Sequence, residues 1–268
     1  MRQDKFNTTF ILSALIAALM FTASLGGLLI ENLYRDNAFV ALLWRGNDLV
    51  TLVVAVPLLV GAMIYAHRGS LRAELVWLGM LAYALYNYAF YLFGAAFNQF
   101  FLFYVAIFAL SIYALVFALT KIDAGEIAGR FQVRTPVNWI GGYLILVAAS
   151  LSFLWIASAL RFVFTGVIPA DIERTEHPTG IVYALDLSLL VPAMALGGIW
   201  LRRREAWSYV LAAMSLIKGA TYTLVLTVNS LLAASFSELP IWLSLTIVSL
   251  AAIGFLLGNM KSVKGENL

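Results

Sequence analysis

Eight stretches of the chain, about 6–30, 49–66, 75–97, 99–120, 137–160, 179–201, 206–235 and 239–260, each hold at most one charged residue. Crossing about 30 Å of hydrocarbon takes roughly 20 apolar residues in a helix. Backbone groups in lipid must find partners within the protein, which leaves helices or closed barrels. No ten-residue segments alternate in polarity as barrel strands do. The expected fold is therefore all-α, a polytopic membrane helical bundle of eight transmembrane helices forming one integral membrane domain over residues 1–268. Composition agrees: 63% of the residues are hydrophobic and 12% charged, against about 25% charged in soluble domains. Seven further runs follow the first, so residues 6–30 are expected to stay as a membrane helix rather than leave as a signal peptide.

Basic residues set an orientation. With the N-terminus inside, the inner segments carry Arg2, Lys5, Arg68, Arg72, Lys121, Arg130, Arg134, Arg202, Arg203, Arg204, Lys261 and Lys264, and the outer ones only Arg35, Arg45, Arg161 and Arg174. That bias places both termini in the cytoplasm. The net charge of +3 is spread over short loops and gives no nucleic-acid signal. With no cysteine and only His67 and His177, thiolate and multi-histidine metal sites are excluded, and no metal or cofactor is expected. The stretch Asn37–Trp44 reads as an interfacial half-helix, which puts Asp48 at the outer mouth of the second span. Residues 165–178, polar and proline-bounded, read as an exterior loop.

The two halves of the chain share features. Asp48 precedes Pro57 in the second span and Asp186 precedes Pro192 in the sixth, each followed by a basic turn. Asn87, Tyr91 and Asn98 in the third span have the same +4 and +11 spacing as Lys218, Tyr222 and Asn229 in the seventh, which aligns each triplet on one helix face. Two parallel four-helix repeats, 6–120 and 137–260, would give this pattern. Chance likeness between apolar helices is the other explanation, because Asp48 lies nine residues before its proline and Asp186 six.

Ionisable side chains deep in a bilayer are costly and mark function by default. Asp186 lies 16 residues from Arg202 and Lys218 13 residues from Glu205, heights of about 24 Å and about 20 Å at the helical rise. The two spans are consecutive and antiparallel, so Asp186 and Lys218 are expected to meet. Such a pair either fixes helix register or forms the base of a cavity. In the second case Thr221, Tyr222 and Asn229, with Asn87 and Tyr91, line an outward-facing polar cavity that binds or transports a small anionic or zwitterionic solute. Other classes stay open: an intramembrane enzyme acting on a lipid or isoprenoid, with Asp186 as general base and Lys218 steadying an anion; a receptor whose chromophore is joined to Lys218; or an accessory subunit of a membrane complex.

The segments GNDLVTLVVAVPLLV (46–60) and YNYAFYLFGAAFN (86–98) resemble those of an uncharacterised family of multi-pass bacterial membrane proteins. The resemblance covers about a tenth of the chain. It implies a prokaryotic plasma-membrane setting and carries no activity.

Overall fold

The computed structural model describes residues 6–261. They form an all-helical polytopic bundle with no strand among them, only one isolated bridge between Phe131 and Met260. Eight helices are long and apolar enough to cross a membrane: Asn7–Leu29, Ala38–His67, Leu71–Gly94, Phe101–Leu119, Val137–Thr165, Ile181–Arg202, Ala206–Leu232 and Leu239–Gly258, here spans one to eight. Their alternation brings residues 7 and 258 to one end of the bundle, called the terminal side; the opposite end is the far side. Spans three and seven form the centre, with 72% and 61% of their apolar windows buried against 39% or less elsewhere. Gly79 permits their close approach, since a Cβ there would stand 2.6 Å from Ile217 Cβ.

Two expectations are corrected. Span two begins at Ala38, so the stretch Asn37–Trp44 is its continuous first part rather than a separate interfacial helix. Asn37 caps it, its side chain accepting from Val40 N–H at 2.9 Å, and the apolar residues after the cap let the helix run on into the core. Asp48 consequently lies ten residues inside span two, 1% exposed, and not at a mouth. Segment 166–180, for its part, contains a helical turn, Ala170–Thr175. It lies against the bundle: Asn37 Nδ2 donates to Arg174 O at 3.1 Å, and the Arg174 guanidinium sits 3.6 Å over the Phe39 ring.

Spans two and six carry the same irregularity. Val56 N–H bonds to Thr51 O, and Val191 N–H bonds to Asp186 O, i→i+5 links that close π turns over Thr51–Ala55 and Asp186–Leu190. Each π turn precedes a proline, whose ring clashes with the carbonyl four residues back and donates no N–H; a wider turn relieves both. After each span comes a residue with positive φ, Gly69 at 96° and Arg204 at 57°, and then the start of the next helix. These landmarks (51 and 186, 57 and 192, 69 and 204, 71 and 206) are 135 residues apart in every case. The polar triplets of the sequence comparison are 131 apart and do not share that register. In the backbone register Thr51 stands opposite Asp186, Tyr83 opposite Lys218, and Asn87 opposite Tyr222.

The two halves nevertheless pack differently. In the first, span one touches both span two and span four, so the four helices form a closed ring. In the second, spans five to six, six to seven and seven to eight pack closely, but five and eight barely meet. The bonds joining them lie near the terminal side, where Tyr143 Oη is 2.8 Å from Ser249 Oγ and Trp139 packs edge-on against Phe255.

Gly27 of span one is fitted to Asp48. A Cβ there would fall within 1.9 Å of Asp48 Oδ2 and 2.5 Å of Tyr34 Oη. Gly27→Ala is expected to push the carboxylate off its hydrogen bonds and cost about 1–2 kcal/mol, read as a lowered thermal unfolding midpoint in detergent; an unchanged midpoint would contradict this.

Candidate functional site

The open ring of the second half encloses a cavity of about 300 Å³. Regular helical spacing brings its walls together. Span five contributes Tyr143, Val147, Leu151 and Trp155, four residues apart on one face, and span six contributes Asp186, Leu190 and Met194 at the same interval. Span seven supplies Lys218, Tyr222, Thr223 and Asn229; span eight supplies Trp242, Leu245 and Ser249. Trp44 and Asn47 of span two close the side toward the first half. The lining is chiefly aliphatic and aromatic, with polar groups gathered at a few points, the usual composition of an organic-ligand pocket.

Segment 166–180 roofs the cavity on the far side through Asp171, Ile172, Thr175 and His177. Tyr183 Oη donates to Asp171 Oδ1 at 2.8 Å, and the Tyr183 ring stacks on Trp155 at 4.3 Å, which joins the roof to spans five and six. Burial pushes the His177 imidazole below its ordinary range, against the opposing pull of Asp36 and of the Gly94 backbone, so the neutral ring is the form that fits under the roof.

Asp186 and Lys218 face the same cavity but form no ion pair within 4.0 Å. Asp186 is satisfied by other donors: Tyr86 O–H to Oδ1 at 2.6 Å and Trp155 Nε1–H to Oδ2 at 2.9 Å. Lys218 Nζ instead lies 3.3 Å from the centroid of the Tyr86 ring and 4.6 Å from that of Tyr222. Tyr86 thus serves both groups, its ring under the ammonium and its hydroxyl on the carboxylate. Cation–π contacts stabilise a desolvated ammonium by about 2 kcal/mol, yet they leave its three N–H donors without an oxygen acceptor among the described residues. An anion entering the cavity would supply that acceptor.

The remaining candidates are divided. Tyr222 and Asn229 line the cavity with Lys218. Thr221 does not; its hydroxyl bonds back to Ile217 O at 2.9 Å and touches Met80 Sδ. Asn87, fully buried in span three, and Tyr91, whose hydroxyl donates to Asp48 Oδ1 at 2.9 Å, lie outside the cavity in the first half. Residues not singled out from sequence hold central places: Tyr86 and Trp155 at Asp186, and Thr223, whose hydroxyl is 2.9 Å from that of Thr246 in span eight. Among the described residues no three His, Cys, Asp or Glu side chains are grouped to hold a metal.

Comparison of the chain with protein-family models, with curated proteins and with solved structures finds no match. The chemistry of the site is therefore the basis for function.

Proposed function

We propose that this multi-pass membrane protein binds an amphipathic organic anion, held with its charged end at Lys218 and its apolar part between spans five and eight. The observation that carries this reading is the Lys218 ammonium: it faces a cavity of about 300 Å³, braced by two aromatic rings and lacking an anionic partner within 4.0 Å among the described residues. Asp186 keeps the ammonium's surroundings from being wholly uncompensated, while its own two donors turn its oxygens to Tyr86 and Trp155.

The apolar lining and the roof favour a ligand drawn from the bilayer over a small hydrophilic solute. The far-side approach is covered by Asp171, Ile172, Thr175 and His177, whereas spans five and eight, both apolar, separate beyond the Tyr143–Ser249 contact. The shared landmarks support treating the two halves as copies of one four-helix unit, the first closed on itself and the second opened to admit a guest. The basic residues support an orientation with the terminal side in the cytoplasm and the roof outside.

Native mass spectrometry of the purified protein titrated with oleic acid and with oleyl alcohol tests this reading. One oleate is expected to bind, at least about tenfold more tightly than the alcohol, as losing a charge-assisted hydrogen bond implies. Lys218→Met is expected to abolish the difference. Equal binding of acid and alcohol by the unaltered protein would overturn the proposal.

A further inference from the structure

The first half contains a second carboxylate inside the bilayer, and among the described residues it has no base. Asp48 is 1% exposed. Tyr34 Oη bonds to its Oδ2, and Tyr91 Oη, also 3.2 Å from Trp44 O, donates to its Oδ1. The groups that face it come from every surrounding element: Ser24 of span one, Tyr34 of the connection after it, Tyr83, Tyr88 and Tyr91 of span three, and Tyr104 of span four. All are neutral hydroxyls. No lysine, arginine or histidine lies within 4.0 Å among the described residues.

We infer that Asp48 is a proton-binding site within the membrane, neutral in its resting state and reloaded from the far side through Tyr34. An ionised carboxylate here would be a buried charge with no countercharge, the arrangement membrane interiors disfavour most. The surroundings offer a proton somewhere to go. When the acid is protonated, the hydrogen bond shared with Tyr34 runs from Asp48 to the phenol oxygen. The Tyr34 hydrogen then turns to an unpartnered acceptor, and the fully buried Ser24 Oγ and the nearby Tyr104 Oη both lack partners. On release Asp48 gives its proton to the Tyr34 oxygen as that phenol gives its own hydrogen to a water reaching its exposed edge from the far side, which leaves Asp48 as the carboxylate, sends the proton off as hydronium and accumulates no phenolate. Burial and the neighbouring Asp48 hold the Tyr34 phenol well above its ordinary range, which keeps it a donor.

A polar row continues from this point along span three. Asn87 stands one turn from Tyr91 and one turn from Tyr83 on the same face. Neither amide atom of Asn87 has a partner, though the residue is fully buried. Tyr83 Oη in turn lies 2.9 Å from Thr51 Oγ1 and 3.4 Å from Asn47 Oδ1, and Asn47 reaches the cavity wall. Hydroxyls and amides with spare capacity, set in a row between a buried acid and a cavity, are the components of a proton relay. The inference does not depend on what the cavity binds.

Infrared spectroscopy of the full protein in lipid tests it, because a protonated carboxyl absorbs apart from carboxylates and amides. A carboxylic C=O band is expected in the unaltered protein, absent from Asp48→Asn, and shifted downward after transfer into D₂O as the proton exchanges. Tyr91→Phe removes a donor from Oδ1 and is expected to move the band upward, which gives an assignment even where Asp48→Asn fails to fold. A spectrum with no carboxylic band that responds to either substitution would overturn the inference. So would an Asp48 band that D₂O leaves in place, since the proton would then be locked and the site inert.

Discussion

Asp186→Leu lowers the stability of the protein by about 3–5 kcal/mol, the loss expected when one member of a buried charged set is removed. Three groups are stranded at once: the Tyr86 hydroxyl and the Trp155 N–H lose their acceptor, and Lys218 loses the negative field beside it. Lys218→Met costs less, because Asp186 keeps both of its donors. Asp186→Leu combined with Lys218→Met recovers part of the loss, since no buried ammonium is then left over. Equilibrium unfolding in mixed micelles gives the three values. The account of the site fails if Asp186→Leu is no more damaging than Lys218→Met.

Ala in place of Gly141 or Gly198 is the second large effect. Spans five and six cross so closely that a Cβ on Gly141 would stand 2.6 Å from Gly198 O, and a Cβ on Gly198 2.7 Å from Gly141 O. Both obstructions are backbone, so no side-chain rotation relieves them and the helices must separate. Small residues permit close contact of this kind in membranes, and overpacking costs about 1–3 kcal/mol. Each single substitution is expected to lose about 2 kcal/mol on that scale. The double substitution is expected to lose clearly less than the sum, because helices already parted by one methyl have room for the second. Additive losses in the same unfolding assay would show that the two glycines act separately. Because Gly141 shares span five with Tyr143, Val147, Leu151 and Trp155, a shift of this helix is also expected to weaken the proposed binding of oleate.

The helix count and approximate span positions were legible because lipid imposes length and apolarity on each span separately. Starts were harder. Arg45, Asn47 and Asp48 make the first part of span two look like a loop in sequence, but Arg45 stays exposed while Asn47 and Asp48 turn inward to partners that only the other helices supply. Asp186 and Lys218 were found by their depth and do face one cavity. That they look past each other was not legible, since it depends on Tyr86 and Trp155, which arrive from spans three and five. Matching polar side chains between the halves gave the register 131, whereas the backbone landmarks keep 135. Side-chain type drifts more easily than the place where a proline widens a helix. The cavity itself arises from spans five and eight standing apart, a relation between helices that no periodicity within either one encodes.

The π turns of spans two and six determine more than local winding. An α-helix advances by about 100° per residue, whereas a π turn takes up one residue more for about the same rotation. In sequence the inward-facing positions of each far-side portion are therefore offset by one residue from those of the terminal-side portion, while in space both portions keep their faces. Asp48 and Tyr183, both buried, lie in those far-side portions. Deleting one residue from Thr51–Ala55 or from Asp186–Leu190 would leave two intact helical halves. The wide turn would then close to α winding without turning either half, and the proline ring would again meet the carbonyl four residues back that the π turn keeps clear of it.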